Sequence, residues 1–269
     1  MKRTPVLAAI VLGAALASPA HAQQDRATQW LNNCREHSWS NRARYCDVRN
    51  FTVDTPAGAI RVDAGPNGGV SVIGWDKSSM LVVAKIQANG DDDADAKDIG
   101  GRIRIDVNAS RVQADGPSAG RHQGWSVSYD LYVPRTSGLD VSTRNGGVAV
   151  DGIHAPLTLT TENGGIHLTN VGGDVHAETT NGGVSAMLDG TTWLGAGLDL
   201  RTTNGSVTLE IPRDYNARLE TGTTNGAVNI GFPITVQGSF GRRITTTLGT
   251  GGPLIRATTV NGGVTIRSR

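Results

Sequence analysis

Alternating apolar and polar positions dominate the chain from residue 139 onward. In six segments, aliphatic or small side chains and then a Thr occupy every second position, and mostly polar side chains fill the positions between them. This alternation is typical of a half-buried β-strand. Each segment ends in Asn-Gly, a small residue and Val or Ile, after which a second run begins. Each segment therefore predicts a strand, a turn and a second strand.

The Asn-Gly turns recur along the chain as an internal repeat. From residue 145 onward the Asn residues follow one another at steps of 18, 18, 23, 21 and 36 residues. Such self-similarity is the signature of a stacked architecture. An earlier copy of the motif contains Asn67. The predicted turn ladder consists of Asn145, Asn163, Asn181, Asn204, Asn225 and Asn261.

Two architectures fit these repeats. Asn-Gly between alternating strands is also a strong hairpin signal, which leaves an antiparallel meander open. Matching residue types at the same offset in successive copies favour stacked coils, about 4.8 Å apart. We therefore predict an all-β fold, a single-stranded, β-helix-like β-solenoid of repeats of about 18 residues. The Asn side-chain amides would hydrogen-bond to one another along one corner of the solenoid. The Gly after each Asn would supply left-handed backbone, and the Thr hydroxyls would contact backbone groups on the inner side of that corner.

The first 22 residues have the pattern of a secretory signal peptide. Lys2 and Arg3 precede an apolar run, and Ala20-His21-Ala22 provides the small residues of a cleavage site. We expect cleavage after Ala22 and a periplasmic or secreted protein. Because the apolar run is too short to span a bilayer comfortably, we expect no transmembrane anchor.

The chain has two cysteines, Cys34 and Cys46, both shortly after this leader. An even number of cysteines in an exported chain predicts a disulfide bond. Two free thiols or a metal-binding pair are the alternatives, and the spacing gives the metal pair little support. The bond would hold a cap of residues 23–50, which contains Trp30, against a repeat domain of residues 51–269.

The region between the cap and the regular repeats predicts shorter, less regular elements. The acidic residues 91–101 predict one helical turn or a loop. Strands are predicted at residues 51–53, 60–62, 70–75, 80–87, 103–107 and 125–133.

Composition and charge exclude several kinds of function. The chain has 36 Gly without the collagen period, which indicates tight turns. Its net charge of +1 gives no basic field for nucleic acid, so we expect no nucleic-acid partner. Glu162 and Glu178 fall at different offsets, unlike the paired carboxylates of a glycosidase. The histidines of the repeats also share no offset, so we predict no catalytic residue, cofactor or metal.

The chain resembles a known bacterial family in several ordered motifs. These are Gly69-Val70-Ser71-Val72-Ile73-Gly74-Trp75-Asp76, Tyr132-Val133-Pro134 leading into Leu139-Asp140-Val141-Ser142-Thr143, the repeated Thr-x-Asn-Gly turns, and Gly251-Gly252-Pro253 before the last turn. They are similar to the β-strand-repeat family of unknown function often labelled "putative adhesin", over residues 51–269. The resemblance implies an exported β-solenoid of the cell envelope and supplies no catalytic residues to transfer.

Three functions fit these observations. The first is a non-enzymatic, adhesin-like protein of the envelope or exterior that presents a surface to a protein or glycan partner. The second is a structural or regulatory periplasmic module, and the third is a solenoid-type carbohydrate-active enzyme. Where the repeat is interrupted, inserted residues form loops that often carry recognition. The sequence therefore predicts a partner surface at Trp193, Arg242 and Arg243. The oligomeric state is left open.

Overall fold

The computed structural model describes residues 19–36, 42–54, 58–234 and 243–269. Most of the predicted leader lies outside these residues. The helices are α1 (Pro19–Glu36) and α2 (Asp93–Arg102). The strands are β1 (Ala43–Asp54), β2 (Ala59–Asp63), β3 (Val70–Trp75), β4 (Ser79–Gly90), β5 (Arg104–Asn108), β6 (Arg111–Asp115), β7 (Gly124–Pro134), β8 (Gly138–Asn145), β9 (Val148–Asp151), β10 (Leu157–Asn163), β11 (Ile166–Thr169), β12 (Asp174–Asn181), β13 (Val184–Met187), β14 (Gly197–Asn204), β15 (Val207–Ile211), β16 (Ala217–Asn225), β17 (Val228–Ile230), β18 (Arg243–Leu248), β19 (Leu254–Asn261) and β20 (Val264–Ser268).

The strands form two ten-stranded sheets whose inner faces share one hydrophobic core. Sheet A has the order β1-β4-β7-β3-β9-β11-β13-β15-β20-β17. Sheet B has the order β18-β16-β19-β14-β12-β10-β8-β2-β6-β5. Apolar side chains at alternate positions point into the space between the sheets, as the sequence pattern requires. The all-β, solenoid-like prediction is confirmed.

Each repeat supplies its first strand to sheet B and its second strand to sheet A, and the repeats stack in parallel. Leu157 of β10 lies beside Leu139 of β8 and Val175 of β12, each 18 residues away. The antiparallel meander is therefore not the architecture of these repeats. We call one such pair of strands with its turn a rung.

The Asn-Gly turns stack into a hydrogen-bonded ladder along one corner. Each Asn Nδ2 donates to the Oδ1 of the Asn in the neighbouring rung, over 2.8–3.0 Å, in the order Asn225, Asn261, Asn204, Asn181, Asn163, Asn145 and Asn67. The Thr two residues before each of the six donating Asn is buried. Its hydroxyl donates to a turn-glycine carbonyl of the neighbouring rung, over 2.6–2.9 Å. Hydrogen bonds therefore join neighbouring rungs on both the solvent side and the core side of this corner.

The glycines of these turns serve a different purpose from the one predicted. Only Gly262 of the seven that follow a ladder Asn has positive φ, at +152°. A Cβ added at Gly182 would instead overlap the Gly164 carbonyl oxygen of the neighbouring rung. The prediction of left-handed backbone is therefore wrong for most turns. Glycine is needed there because the backbones of adjacent rungs approach too closely for a side chain.

The rungs do not stack in chain order at the C-terminal end. The last rung, β19–β20, lies between the β14–β15 and β16–β17 rungs. Asn261 consequently bonds both Asn204 and Asn225. The 36-residue step between Asn225 and Asn261 contains β18, which pairs antiparallel with the outer side of β16.

The N-terminal region closes the other end of the stack. β2 and β3 form a rung against β8 and β9, and β1, β4 and β7 extend sheet A. The predicted boundary between residues 50 and 51 falls inside β1. The acidic segment forms the helix α2 rather than a single turn, capped by Asp92, whose side chain accepts from the Asp95 N–H. Strand β6 was not predicted.

Candidate functional site

A groove of about 730 Å³ lies on the outer face of sheet A, beside helix α1. Trp30 of α1 lines it on the side of the helix. Strands β3, β7, β9, β11, β13 and β15 contribute to its floor. We call this feature the sheet A groove. It brings together the N-terminal segment and the repeats, which are far apart in sequence.

Helix α1 is held beside sheet A by several contacts, of which the predicted disulfide is one. Cys34 of α1 is bonded to Cys46 of β1, with their Cα atoms 6.3 Å apart, which confirms this prediction. The Arg44 guanidinium donates to the Cys34 carbonyl over 3.2 Å. Toward the start of the helix, the Arg26 guanidinium lies near the Tyr132 hydroxyl of β7. These contacts position Trp30 at the groove.

The floor of the sheet A groove is made of small and hydroxyl-bearing residues. The strand register aligns the outward-facing residues into one row that crosses β3, β9, β11, β13 and β15. The row consists of Ser71, Ala149, His167, Ser185 and Thr208. His167 Nδ1 lies 2.7 Å from Ser185 Oγ, and His167 Nε2 lies 3.3 Å from Thr169 Oγ1. The imidazole is therefore fixed on both sides and presents its ring to the groove.

One ion pair lies at the floor. Lys85 Nζ of β4 and Asp130 Oδ1 of β7 are 2.7 Å apart, and their side chains are only 16% and 14% exposed. A partly desolvated pair of this kind is bonded more strongly than one in open solvent. It gives the groove one fixed positive and one fixed negative group with no net charge.

The chemistry of the sheet A groove suits binding. Trp30 offers a flat aromatic surface, and the floor offers hydroxyl groups, an imidazole and an ion pair. Hydrolysis of a glycosidic bond ordinarily uses two carboxylic groups on either side of the bond. Among the described residues that line this groove, Asp130 is the single carboxylate, and it is paired with Lys85.

The structure places Trp193 in the core, which corrects one part of the predicted partner surface. Its side chain is 3% exposed, and its Nε1 donates to the Gly173 carbonyl over 2.9 Å. The large apolar ring belongs to the hydrophobic core that the two sheets share. Its neighbour Leu194 points outward and is 68% exposed, beside a smaller pocket that Tyr215 also lines.

Arg243, another member of the predicted surface, begins the edge strand β18 and is exposed. It lines a second groove, on the outer face of sheet B, together with Arg201, Arg256, Glu178 and Glu220. Arg256 is committed to Glu220 at 2.9 Å and to Asp199 at 3.4 Å, and Arg201 to Asp199 at 2.6 Å. Trp193 does not line this groove, so the structure does not join it to Arg243. Arg242 lies outside the described residues.

The sheet A groove cannot be predicted from the alternation of residues. That pattern indicates only that the outward row is polar, and Trp30 falls in the predicted cap. The signal that was present is the row of small residues next to the turns, Gly69, Gly147, Gly165 and Gly183, which leaves the sheet surface open there. Pairing that row with Trp30 needs the position of α1, which the alternation does not provide.

Two further findings concern the described part of the chain. It contains no group of three or more His, Cys, Asp or Glu side chains arranged to hold a metal ion. None of its helices is long and apolar enough to cross a membrane.

Comparison with solved structures finds several bacterial proteins that resemble this chain at low sequence identity. A "putative cell adhesion protein" from Clostridium sporogenes has 11% identity and a TM-score of 0.41, over 84% of this chain and 100% of that one. A "putative adhesin" from Bacteroides fragilis has 13% identity and a TM-score of 0.41, over 84% and 97%. A third, a "putative adhesin" from Parabacteroides merdae, has 10% identity and a TM-score of 0.33, over 82% and 96%.

No curated protein matches the chain. Residues 103–267, which include the regular rungs and six of the seven Asn of the ladder, match the family described as Toastrack DUF4097. This match covers more than half of the chain and confirms the resemblance drawn from the repeated turns. The chain belongs to the Toastrack DUF4097 family.

Proposed function

We propose that this chain is an exported, non-enzymatic, adhesin-like protein of the bacterial envelope that binds a glycan in the sheet A groove. The single observation that carries the proposal is the position of Trp30 beside a hydroxyl-rich floor. An indole ring can stack on the apolar face of a sugar ring, and the sugar hydroxyls can then bond the floor. The Lys85–Asp130 pair would orient the sugar by offering both a donor and acceptors.

Export is proposed on two grounds. The first 22 residues have the charge and apolar pattern of a signal peptide. The Cys34–Cys46 bond is of the kind that persists in oxidising compartments such as the periplasm or the exterior. Mass spectrometry of the protein recovered from a bacterial host would give its first residue, which we expect to be Gln23.

A glycan array tests binding, and a matched pair of variants tests the groove. We expect Trp30→Ala to lose glycan binding and Trp30→Phe to keep part of it, because phenylalanine retains a stacking surface. Leu194→Ala changes an exposed apolar residue outside the groove and should bind like the unchanged protein. Thermal unfolding of all three variants separates lost binding from lost folding.

Other outcomes would distinguish the remaining functions. Binding that survives in well-folded Trp30→Ala would place the glycan elsewhere and reject the sheet A groove. Shortened glycans in the bound fraction would indicate a carbohydrate-active enzyme. An array without any bound glycan would favour a structural or regulatory module of the envelope.

A further inference from the structure

The Asn ladder protects most of its own Asn-Gly sequences from a reaction to which such sequences are prone. An Asn followed by Gly can lose its side-chain amide when the glycine nitrogen attacks the Asn Cγ. At four positions of the ladder that nitrogen is engaged, because its N–H donates to the backbone carbonyl of the Asn in the neighbouring rung. These bonds are Gly164 to Asn181, Gly182 to Asn204 and Gly205 to Asn261, each 3.0 Å, and Gly262 to Asn225, 2.9 Å.

The side chains of the interior Asn residues are also held on two sides. Asn181, for example, donates to Asn163 Oδ1 over 2.8 Å and accepts from Asn204 Nδ2 over 2.9 Å. Turning its Cγ toward the following glycine nitrogen would break both bonds. Reaction at an interior Asn therefore requires local opening of the stack, which has a free-energy cost.

Asn225 stands at the end of the ladder and lacks this protection. Its Nδ2 donates to Asn261 Oδ1 over 2.8 Å, and no rung lies beyond it in the described chain. Within the described residues the Gly226 N–H has no backbone acceptor. Gly226 is also the one exposed glycine among the seven that follow a ladder Asn. Among the described residues, one hydrogen bond thus holds the Asn225 side chain, next to an exposed glycine.

We propose that Asn225 is a site of spontaneous deamidation. The Gly226 nitrogen loses its proton and forms a bond to Asn225 Cγ, and the side-chain nitrogen leaves as ammonia. Water then opens the resulting succinimide ring at either carbonyl and leaves aspartate or isoaspartate. Neither an enzyme nor a redox partner is needed, and Gly226 has no side chain to hinder the attack.

The product would change the end of the stack. A carboxylate at position 225 replaces the amide donor and places negative charge beside Asn261 Oδ1, which is itself an acceptor. Two facing acceptors repel each other, so the outermost ladder bond is lost. The isoaspartate product also lengthens the backbone at the point where β16 ends. Both products therefore loosen the β16–β17 rung.

At the opposite end of the ladder the Gly68 and Gly146 N–H groups also have no backbone acceptor among the described residues, but these glycines are less exposed than Gly226. Gly68, which follows Asn67, is buried, and a Cβ there would overlap the Val127 carbonyl oxygen of β7. Asn145, next along, donates to both Pro66 O at 2.7 Å and Asn67 Oδ1 at 3.0 Å, and accepts from Asn163. We therefore expect both to react more slowly than Asn225.

Peptide mapping by mass spectrometry tests the proposal within one molecule. The folded protein is kept in mildly alkaline buffer, and a second sample is kept unfolded in urea. In the folded protein we expect Asn225 to deamidate more than about tenfold faster than Asn181, because only Asn181 needs local opening of the stack. In urea the two sites should react at similar rates. Equal rates in the folded protein would overturn the proposal.

Two variants check the assignment. Asn225→Gln should abolish the early deamidation that is measured on the intact protein, since glutamine forms the corresponding ring slowly. Asn229→Gln is the matched control, because Asn229 is exposed in the next strand and precedes Ile230 rather than glycine. Early deamidation that persists in Asn225→Gln, or that disappears in Asn229→Gln, would reject Asn225 as the site.

Discussion

At the scale of residues, each turn of the ladder joins neighbouring rungs through three groups. The Asn amide forms a hydrogen bond on the solvent side of the corner, and the Thr hydroxyl forms one on the core side. The glycine that follows the Asn lets the backbones of adjacent rungs approach closely. The Asn stacking and the inward Thr could be predicted, because both follow from equal offsets in successive copies. The role of the glycine could not, since a sequence does not show how near the next backbone lies.

The buried Thr hydroxyls should contribute to stability. Thr179→Val keeps the shape of the side chain but leaves the Gly164 carbonyl without its 2.8 Å bond. We expect a loss of about 1–3 kcal/mol in the free energy of unfolding. Thr180→Val, the exposed neighbour, is the control and should change stability by less than about 0.5 kcal/mol. Urea unfolding of both variants decides, and equal losses would contradict the role given to Thr179.

Adjacent glycines offer a second comparison. Gly182→Ala should destabilise the protein because its Cβ overlaps the Gly164 carbonyl oxygen. Gly183→Ala should be close to neutral, since its Cβ would lie 3.4 Å from the Ser206 oxygen, an ordinary contact. Thermal unfolding measures both. A Gly183→Ala variant less stable than Gly182→Ala would show that the close approach has been misjudged.

At the scale of elements, parallel stacking could be predicted and the partners of the outlying strands could not. Equal offsets indicate that successive repeats lie in register, as β8, β10 and β12 do. Nothing in the alternation distinguishes β1, β4 and β7, which pair antiparallel across long separations. The same limit applies to the sheet A groove, which depends on where α1 lies.

The disulfide should matter chiefly for α1. The bond joins residues 12 positions apart, and for a loop of that size the chain-entropy model gives a stabilisation of about 3 kcal/mol. When both cysteines are replaced by serine, we expect the amide protons of α1 to exchange faster while those of β4 and β7 remain protected. Hydrogen exchange followed by mass spectrometry measures this. Loss of protection throughout the sheets would mean that the bond supports the core itself.

At the scale of the whole molecule, buried tyrosines should make folding sensitive to alkaline pH. Burial, helped by Asp189, raises the pKa of Tyr215 to about 12. Burial likewise raises the pKa of Tyr129, with Asp63 and Asp115 adding to the effect. Because these values exceed the unfolded value of about 10, the folded state keeps its protons longer. The stability they provide is complete below about pH 10 and is lost as the pH rises toward 12.

This sensitivity can be measured by removing one hydroxyl. Tyr129 is 0% exposed, and its hydroxyl has no hydrogen-bond partner in the described part of the chain. Tyr129→Phe should therefore unfold at a higher pH than the unchanged protein, without loss of stability at neutral pH. Tyr45→Phe, a change at a partly exposed ring, serves as the control. Identical alkaline midpoints for all three proteins would exclude a contribution from Tyr129.

Because the last rung, β19–β20, lies between two earlier rungs, the stack cannot be completed until the end of the chain is available. The chain emerges N-terminus first, from a ribosome or from a secretion channel, so the rungs from β8–β9 to β14–β15 appear in the order in which they stack and each can add to the one before it. The next rung, β16–β17, emerges before the neighbour that it needs, because Asn204 pairs with Asn261, 57 residues later. Until the final strands emerge, β14 and β15 present open edges of the kind that invite aggregation. Chains that end early at residue 253 should therefore be poorly soluble, however complete their other rungs are.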